Sequence, residues 1–437
     1  MCCTKNYLKK ISCAFQKFIP KEQKEGIELI CRSFGISGTI KKYITKWEVI
    51  MDMMKILSFV SPTKVYFGIN SHQKLREIVS EWGIKRLLCL SDPGIASTDF
   101  FSLVEAILKE SGVGFDIFTD IESDPSASTV EKAYELYRTN EPSALLAVGG
   151  GSTMDVGKAV GILATNGGRI HDYEGIDKFS KVPLPLIAIP TTAGTGSEVS
   201  GSCVITDTDR DIKMSIKSAA LNPARIAILD PLALRSLPSM PAAYAAMDAL
   251  VHAQESFVSL NANPITDAGN LYAIKLISQN IRPFVSNRSN LEAGLMMLSA
   301  ASLAAMGFSN TGAGNVHCMA RFVGALFHVS HGLSTAVCFP YAAEFNLMAN
   351  PEKFAQVALA MGEDIRGLTT LEAGRKSIES IKQLKKDLNI PEKLRDVGVK
   401  KEKIAEMAKL AFEANYNRWN PRYTTEQDFL ALFKNAF

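Results

Sequence analysis

Residues Ala144-Leu-Leu-Ala-Val148 form a short unbroken apolar run that ends in Gly149-Gly150-Gly151-Ser152 and continues to Lys158 without a proline. An apolar run of this length bounded by turn residues reads as a strand buried on both faces, the kind found in parallel sheets. Parallel strands need crossover connections, normally helices, so this one run commits its surroundings to alternating strands and helices. Glycines at a strand-to-helix turn also let the backbone come close to a phosphate. The helix N-terminus behind them supplies N–H donors and a positive dipole end. A glycine triplet alone is a common turn; its place between a buried strand and a helix is what gives it meaning.

The rest of the first half fits that frame. Strands are expected at 64–68, 86–90, 113–118, 184–189 and 226–229, with helices at 74–82, 99–111 and 128–139 between them. Residues 204–209 and 213–215 read as a hairpin. The order predicts a doubly wound α/β sheet. Asp230-Pro231 and the prolines at 238 and 241 mark a boundary, beyond which the pattern is helical almost to the end. Three parts are expected: an extension over 1–54, an α/β dinucleotide-binding domain over 55–236 and an all-α domain over 237–437.

Asp92 follows the 86–90 strand. It suits a hydrogen bond to a ribose 2′-hydroxyl and would repel a 2′-phosphate, favouring NAD over NADP. The competing reading is an Asx turn before Pro93.

The second half concentrates a scarce residue. Of six histidines, four fall between 252 and 331. Asp248 and His252 are four apart, so on a helix they share one face. His317 and His331 can join them from a second helix and a following loop. One carboxylate and three imidazoles, with no thiolate, suit Fe(II) or Zn(II) and leave a position for substrate. A DxxxH pair by itself is an ordinary helix-surface feature; the clustering downstream of a phosphate-type turn is what makes it a metal half-site.

Charge and cysteine content exclude some classes. Lys and Arg number 48 against 45 Asp and Glu, a net +3, which argues against a nucleic-acid binder. No apolar run reaches the roughly 18 residues of a membrane span. The eight cysteines lack CxxC pairing and read as free thiols in a reducing, cytoplasmic compartment. Residues 1–50 differ, with ten Lys/Arg against four Glu. Tyr7, Leu8, Ile11, Ala14, Phe15, Phe18 and Ile19 recur at helical spacing until Pro20. This is a leader, a segment upstream of the true start near Met51–Met54, or a basic amphipathic helix over 5–19 that docks on a shell or partner.

These motifs carry a family resemblance. GGGSTMDVGK (149–158), IPTTAGTGSEVS (189–200), MDALVHAQESFVS (247–259), NVHCMARFVGALFHVSHG (315–332) and NPEKFAQVALAMGE (350–363) resemble the iron-containing (group III) alcohol dehydrogenases, propanediol/butanol branch. The likeness spans about 56–437. It implies a dehydroquinate synthase-like, iron-alcohol dehydrogenase fold with the site in the cleft between domains, and homodimers or larger homo-oligomers. It further implies metal held by Asp248, His252, His317 and His331. NAD(H) would lie against Gly149, Gly150, Gly151, Ser152, Asp155, Thr191, Thr192, Lys213 and Asp92. The expected activity interconverts a small primary alcohol and its aldehyde.

The chain departs from the family at one place. A second histidine usually stands four residues after the ligand corresponding to His317, and here that position is Arg321. Arginine cannot relay protons at ordinary pH. It is either neutral to catalysis or pairs with an anionic group on the substrate, such as a carboxylate, sulfonate or phosphonate. His328 is read as a pocket-edge or packing residue, with a proton relay as the alternative. Cys318, beside a ligand, has no partner base in the sequence and is not read as a nucleophile. Two other classes stay open: a dehydroquinate synthase-like lyase and a non-catalytic, scaffold-associated protein.

Overall fold

The computed structural model describes residues 56–210 and 212–437. The expectations for 1–54, including the docking helix over 5–19, lie outside these residues. Residues 58–437 form one compact unit.

The first half alternates as the sequence requires. In chain order the elements are β1 (Lys64–Phe67), α1 (Lys74–Glu81), β2 (Arg86–Leu90), α2 (Pro93–Ala96), α3 (Asp99–Glu110), β3 (Gly114–Phe118), α4 (Ala127–Asn140), β4 (Ala144–Gly149) and α5 (Gly151–Asn166). There follow β5 (Gly175–Ile176), β6 (Leu186–Pro190), β7 (Ser202–Asp207), β8 (Ile212–Lys217) and β9 (Ile226–Leu229). Six strands form a parallel sheet in the order β1-β9-β6-β4-β2-β3. β7 and β8 are the expected hairpin, with the first arm shifted two residues toward the N-terminus and the second arm longer, and β5 adds to it in parallel.

Alternation along the buried strands serves two cores. Leu88, Leu90, Leu145, Ala147, Leu186 and Ala188 face α4 and α5. Leu87, Cys89, Leu146, Val148, Ile187 and Ile189 face α1 and α3. Both faces are covered, which is why these strands are continuous apolar runs rather than alternating ones.

The second half is helical: α6 (Ser239–Val258), α7 (Pro264–Ser286), α8 (Leu291–Thr311), α9 (Asn315–Phe327), α10 (His331–Leu347), α11 (Pro351–Ala360), α12 (Thr370–Asp387), α13 (Ile404–Ala414) and α14 (Glu426–Ala436). α6 is nearly all buried because α7, α8 and α10 pack around it. α8 is long and apolar enough to cross a membrane by length and composition, but here it lies against α6 and α7 in the helical core. A third cluster of buried residues fills this half and reaches Ala193, Val199, Ala227 and Leu229 at the sheet.

The two halves meet through glycine. A Cβ on Gly194 would sit 2.5 Å from the Ala245 carbonyl oxygen of α6. Gly196, at φ +58°, would place one 2.2 Å from Ala305 Cβ and 2.8 Å from the Ala301 oxygen of α8. At these two points the loop backbone lies directly on the helices, and between and beside them Ala193, Val199 and the Glu198–Ser302 hydrogen bond cross the same seam.

Candidate active site

β2 and β4 are neighbours in register, Leu90 opposite Ala147, so their C-terminal ends open together. This crevice is where doubly wound sheets bind ligands. Gly150 is the N-cap of α5, and Gly151 is its first residue. A side chain on Gly149 would collide with Thr153 Oγ1 at 2.3 Å, and one on Gly151 would crowd Thr195 at 3.1 Å. Side-chain-free backbone is therefore required here, and the α5 N-terminus faces the cleft. Gly151, Ser152, Asp155 and Lys213 line a cavity of about 290 Å³ that continues to Asp248, His252, His317, Arg321 and His331.

Some expected cofactor residues have other partners. Asp92 caps α2 through Oδ1, 3.0 Å from Ile95 N. Asp92 is thus a helix N-cap, its bond reaching three residues on rather than the two of the expected Asx turn, and one carboxylate oxygen remains. Thr191 is buried and its N–H donates to the Gly149 carbonyl at 3.0 Å, bracing the turn; Thr192 packs beside Gly150. Asp155 accepts from Ser197 Oγ at 3.0 Å and Val204 N at 3.0 Å, so it ties α5 to the 190–201 loop and β7. Lys213 pairs with Asp124 at 2.6 Å.

The metal-type cluster closes as the spacing demands. α6 carries Asp248 and His252 on one face, and α9 brings His317 across from them. Ligand atoms of these three lie within 4.8 Å of one another. His331 Nε2 stands 3.6 Å and His317 Nε2 3.8 Å from Asp248 Oδ1. His331 opens α10 rather than lying in a loop, as the spacing after His317 suggested, because the helix begins directly after Ser330. The His252 and His317 rings stack at 4.8 Å, with Phe308 of α8 walling both.

Asp248 Oδ1, His252 Nδ1 and His317 Nε2 are buried with no hydrogen-bond partner. Orphaned buried polar atoms are costly, and three converging on one point fit a divalent cation. Burial holds His252 neutral, pushing its pKa down to about 4, and lowers His331 as well. Burial opposes charge on Asp248, but the surrounding imidazoles outweigh it and keep the carboxylate ionised. The neutral imidazoles of His252 and His331 and the anionic Asp248 are in the protonation states that ligate metal.

Sequence reasoning missed Glu255. One turn beyond His252 on α6, it is buried at 4% exposure and contacts His317 Nδ1 at 2.7 Å. It also accepts from Gly314 N at 3.0 Å and Val316 N at 2.6 Å, capping α9. Burial lowers the His317 pKa, but the Glu255 contact and Asp248 outweigh it and hold the pKa above the ordinary value. The signal was present: an acid at i+7 from Asp248 on a helix otherwise apolar along that face.

Arg321 lines the cleft with its guanidinium 4.2 Å from the Tyr416 ring, donating to the Lys213 carbonyl. His328 adopts φ 53° as the C-cap of α9 and is not among the cavity-lining residues. Cys318 donates to the Ala411 carbonyl, and burial pushes its thiol up to about 12, so it is no nucleophile at neutral pH.

An α/β half with a phosphate-type turn, facing a helical half with a buried His/Asp cluster, defines a class of enzymes built to hold a metal beside a dinucleotide. Comparison with known proteins gives the family. Residues 62–231 match the profile of iron-containing alcohol dehydrogenases, and residues 242–437 match the C-terminal profile of the same family. A 1,3-propanediol dehydrogenase of Klebsiella pneumoniae is 38% identical, covering 88% of this chain and 99% of the relative. An NAD-dependent methanol dehydrogenase of Bacillus methanolicus is 36% identical, covering 86% and 99%. The crystal structure of a 1,3-propanediol oxidoreductase superimposes with a TM-score of 0.85 at 39% identity, over 88% of this chain and all of that one. The chain belongs to the iron-containing alcohol dehydrogenase family and is an oxidoreductase.

Proposed function

We propose that the protein interconverts a small primary alcohol and its aldehyde, with NAD(H) on residues 55–236 and iron held within 237–437 by Asp248, His252, His317 and His331. The observation that carries this reading is the convergence of Asp248 Oδ1, His252 Nδ1 and His317 Nε2, each buried and unpartnered, in the same cavity as the α5 N-terminus. The ligand set accepts Zn(II) as well, and family membership favours iron.

In this set ferrous iron supplies Lewis-acid polarisation of the substrate oxygen, while the nicotinamide carries the hydride. The chain's residues do the rest. Glu255 fixes the His317 ring so that Nε2 faces the cluster. Phe308 shields His252 and His317 from water on the α8 side. The glycine turn and α5 N-terminus hold the cofactor's phosphates. Asp92, at the end of β2, favours the 2′-hydroxyl of NAD through its remaining oxygen.

Homo-oligomer formation belongs to the same proposal. β1 is an edge strand, and Phe67 on it is 68% exposed. Such edges are normally covered.

The test is an anaerobic assay of iron-loaded protein with NADH and propanal, beside metal analysis of His317→Ala. The expected result is NADH oxidation by the wild type and loss of bound iron in the variant. A variant that holds iron as firmly as the wild type would remove His317 from the ligand set, and the reading with it.

A further inference from the structure

β8 presents three side chains to the cleft in strict alternation: Lys213, Ser215 and Lys217. Met214 and Ile216 between them point into the core. This is the period of two that a strand imposes. Lys213 is neutralised by Asp124. Lys217 is not: among the described residues no carboxylate forms an ion pair with it. The charges it feels most are Arg321 and Arg418, both positive. Burial, then these two cations, lower its pKa.

Arg321 lines the same cavity and likewise has no ion-pair partner among the described residues. One arm donates to the Lys213 carbonyl, and the face lies on Tyr416. A guanidinium has five N–H donors, so most remain unused. Glu174, whose field Arg321 feels, is engaged with Arg210 at 2.9 Å, and Asp124 of the same cavity is engaged with Lys213. The field of Lys217 reaches His317, and both cations line the cavity that holds the metal-type cluster.

Two partly buried cations without an anion in a substrate cavity are costly unless a ligand supplies the charge. We propose that Lys217 and Arg321 form a subsite for an anionic group, a carboxylate or sulfonate, at the far end of the aldehyde substrate. The inference rests on the alcohol/aldehyde reading above and narrows its substrate class. The anion takes no part in the redox step: the carbonyl carbon gains hydride from NADH, and the carbonyl oxygen gains a proton from solvent. Lys217 and Arg321 would position the chain, with Arg321 oriented by Tyr416 and the Lys213 carbonyl.

The test compares propanal with succinic semialdehyde and sulfoacetaldehyde, using NADH and iron-loaded enzyme, in wild type, Lys217→Met and Lys217→Arg. The wild type is expected to favour an acidic aldehyde over propanal by at least about tenfold in kcat/KM, the worth of one charge-assisted hydrogen bond. Lys217→Met should reduce that ratio about tenfold, chiefly through KM, and Lys217→Arg should restore most of it. The two acids distinguish carboxylate from sulfonate. A second readout needs no turnover: calorimetric titration of ethanesulfonate into metal-free protein with NAD, weakened in Lys217→Met. Turnover of propanal with acidic aldehydes no better overturns the subsite and leaves the general activity standing. No turnover of any aldehyde, with ethanesulfonate still bound through Lys217, overturns the activity and keeps the anion site. A Lys217→Met enzyme that loses affinity for NADH and not for the acidic aldehyde assigns the lysine to the cofactor and overturns the proposal.

Discussion

Glu255→Gln isolates how much of the metal site is built by a residue that touches no metal. Glu255 accepts from Gly314 N, Val316 N and His317 Nδ1 at 3.0, 2.6 and 2.7 Å. Glutamine keeps the shape and one acceptor oxygen but replaces the other oxygen with an NH2 group. In the Oε1 position that group faces the Val316 N–H, and in the Oε2 position it faces both the Gly314 N–H and the ring nitrogen, so donor meets donor. If it faces the ring, His317 is pushed toward the wrong tautomer or rotated. Losing the partner that orients a metal-binding histidine weakens metal affinity by about 10–100-fold. This corresponds to roughly 1.4–2.8 kcal/mol. If the amide instead faces the cap, α9 loses a charge-assisted bond, and global stability falls by about 1.5–3 kcal/mol. Iron competition with a chromogenic ferrous chelator measures the first loss, and thermal unfolding of metal-free protein measures the second. Glu255→Ala should show both at once, with roughly 3–5 kcal/mol of destabilisation from the uncompensated buried groups. A glutamine variant with iron affinity within twofold of wild type and unchanged metal-free stability would refute the orienting role.

Further outcomes are expected elsewhere in the molecule. Asp92→Gly should improve NADPH use relative to NADH by tenfold or more, on the order of one removed charge clash, and cost about 1 kcal/mol from the lost α2 cap; unchanged cofactor preference would discard the ribose role. Lys385 is 3% exposed, and burial lowers its pKa to about 8. Between about pH 8 and 10.5 the unfolded chain still holds a proton that the fold has released, so this residue makes stability rise with pH in that window. Lys385→Met should flatten that rise and stabilise the protein by about 1–3 kcal/mol at pH 7; a destabilised variant with the slope intact would show that the Glu392 carbonyl contact dominates. Phe67→Glu on the exposed edge of β1 should shift light-scattering mass toward the monomer, and an unmoved mass would place the interface elsewhere.

How far the sequence carried the fold depends on what each element rests on. The buried strands were legible because both faces are covered, leaving continuous apolar runs such as 144–148. The two-residue β5 was not, since it has no pattern of its own and exists only by pairing with Lys217 and Ile216 of β8. The cluster of Asp248, His252, His317 and His331 was legible through the rarity of histidine. His331 was placed in a loop because nothing in the sequence distinguishes a loop from a first helical residue there. Asp92 could not be decided: a cap and a ribose contact ask for the same side chain at the same spot. Glu255 left a signal in its spacing from Asp248, but its contact with the His317 ring exists only once α6 and α9 are packed. Lys217 left none, since it is unpaired only when its neighbours' acids are seen to be engaged.

The glycine seam at Gly194 and Gly196 has a thermodynamic reach. The residues expected to hold metal belong wholly to the helical half, and the phosphate turn belongs wholly to the sheet. The 190–201 loop ties the two together: Thr191 N–H braces the Gly149 turn, while three and five residues on the same loop lies directly on α6 and α8. At those two points a displacement of the helices on metal loading would meet loop backbone directly and pass toward the phosphate end. Metal and dinucleotide should then be coupled ligands. By reciprocity, whatever factor iron adds to NAD affinity, NAD must add to iron affinity. A single methyl group at position 194 would loosen both together.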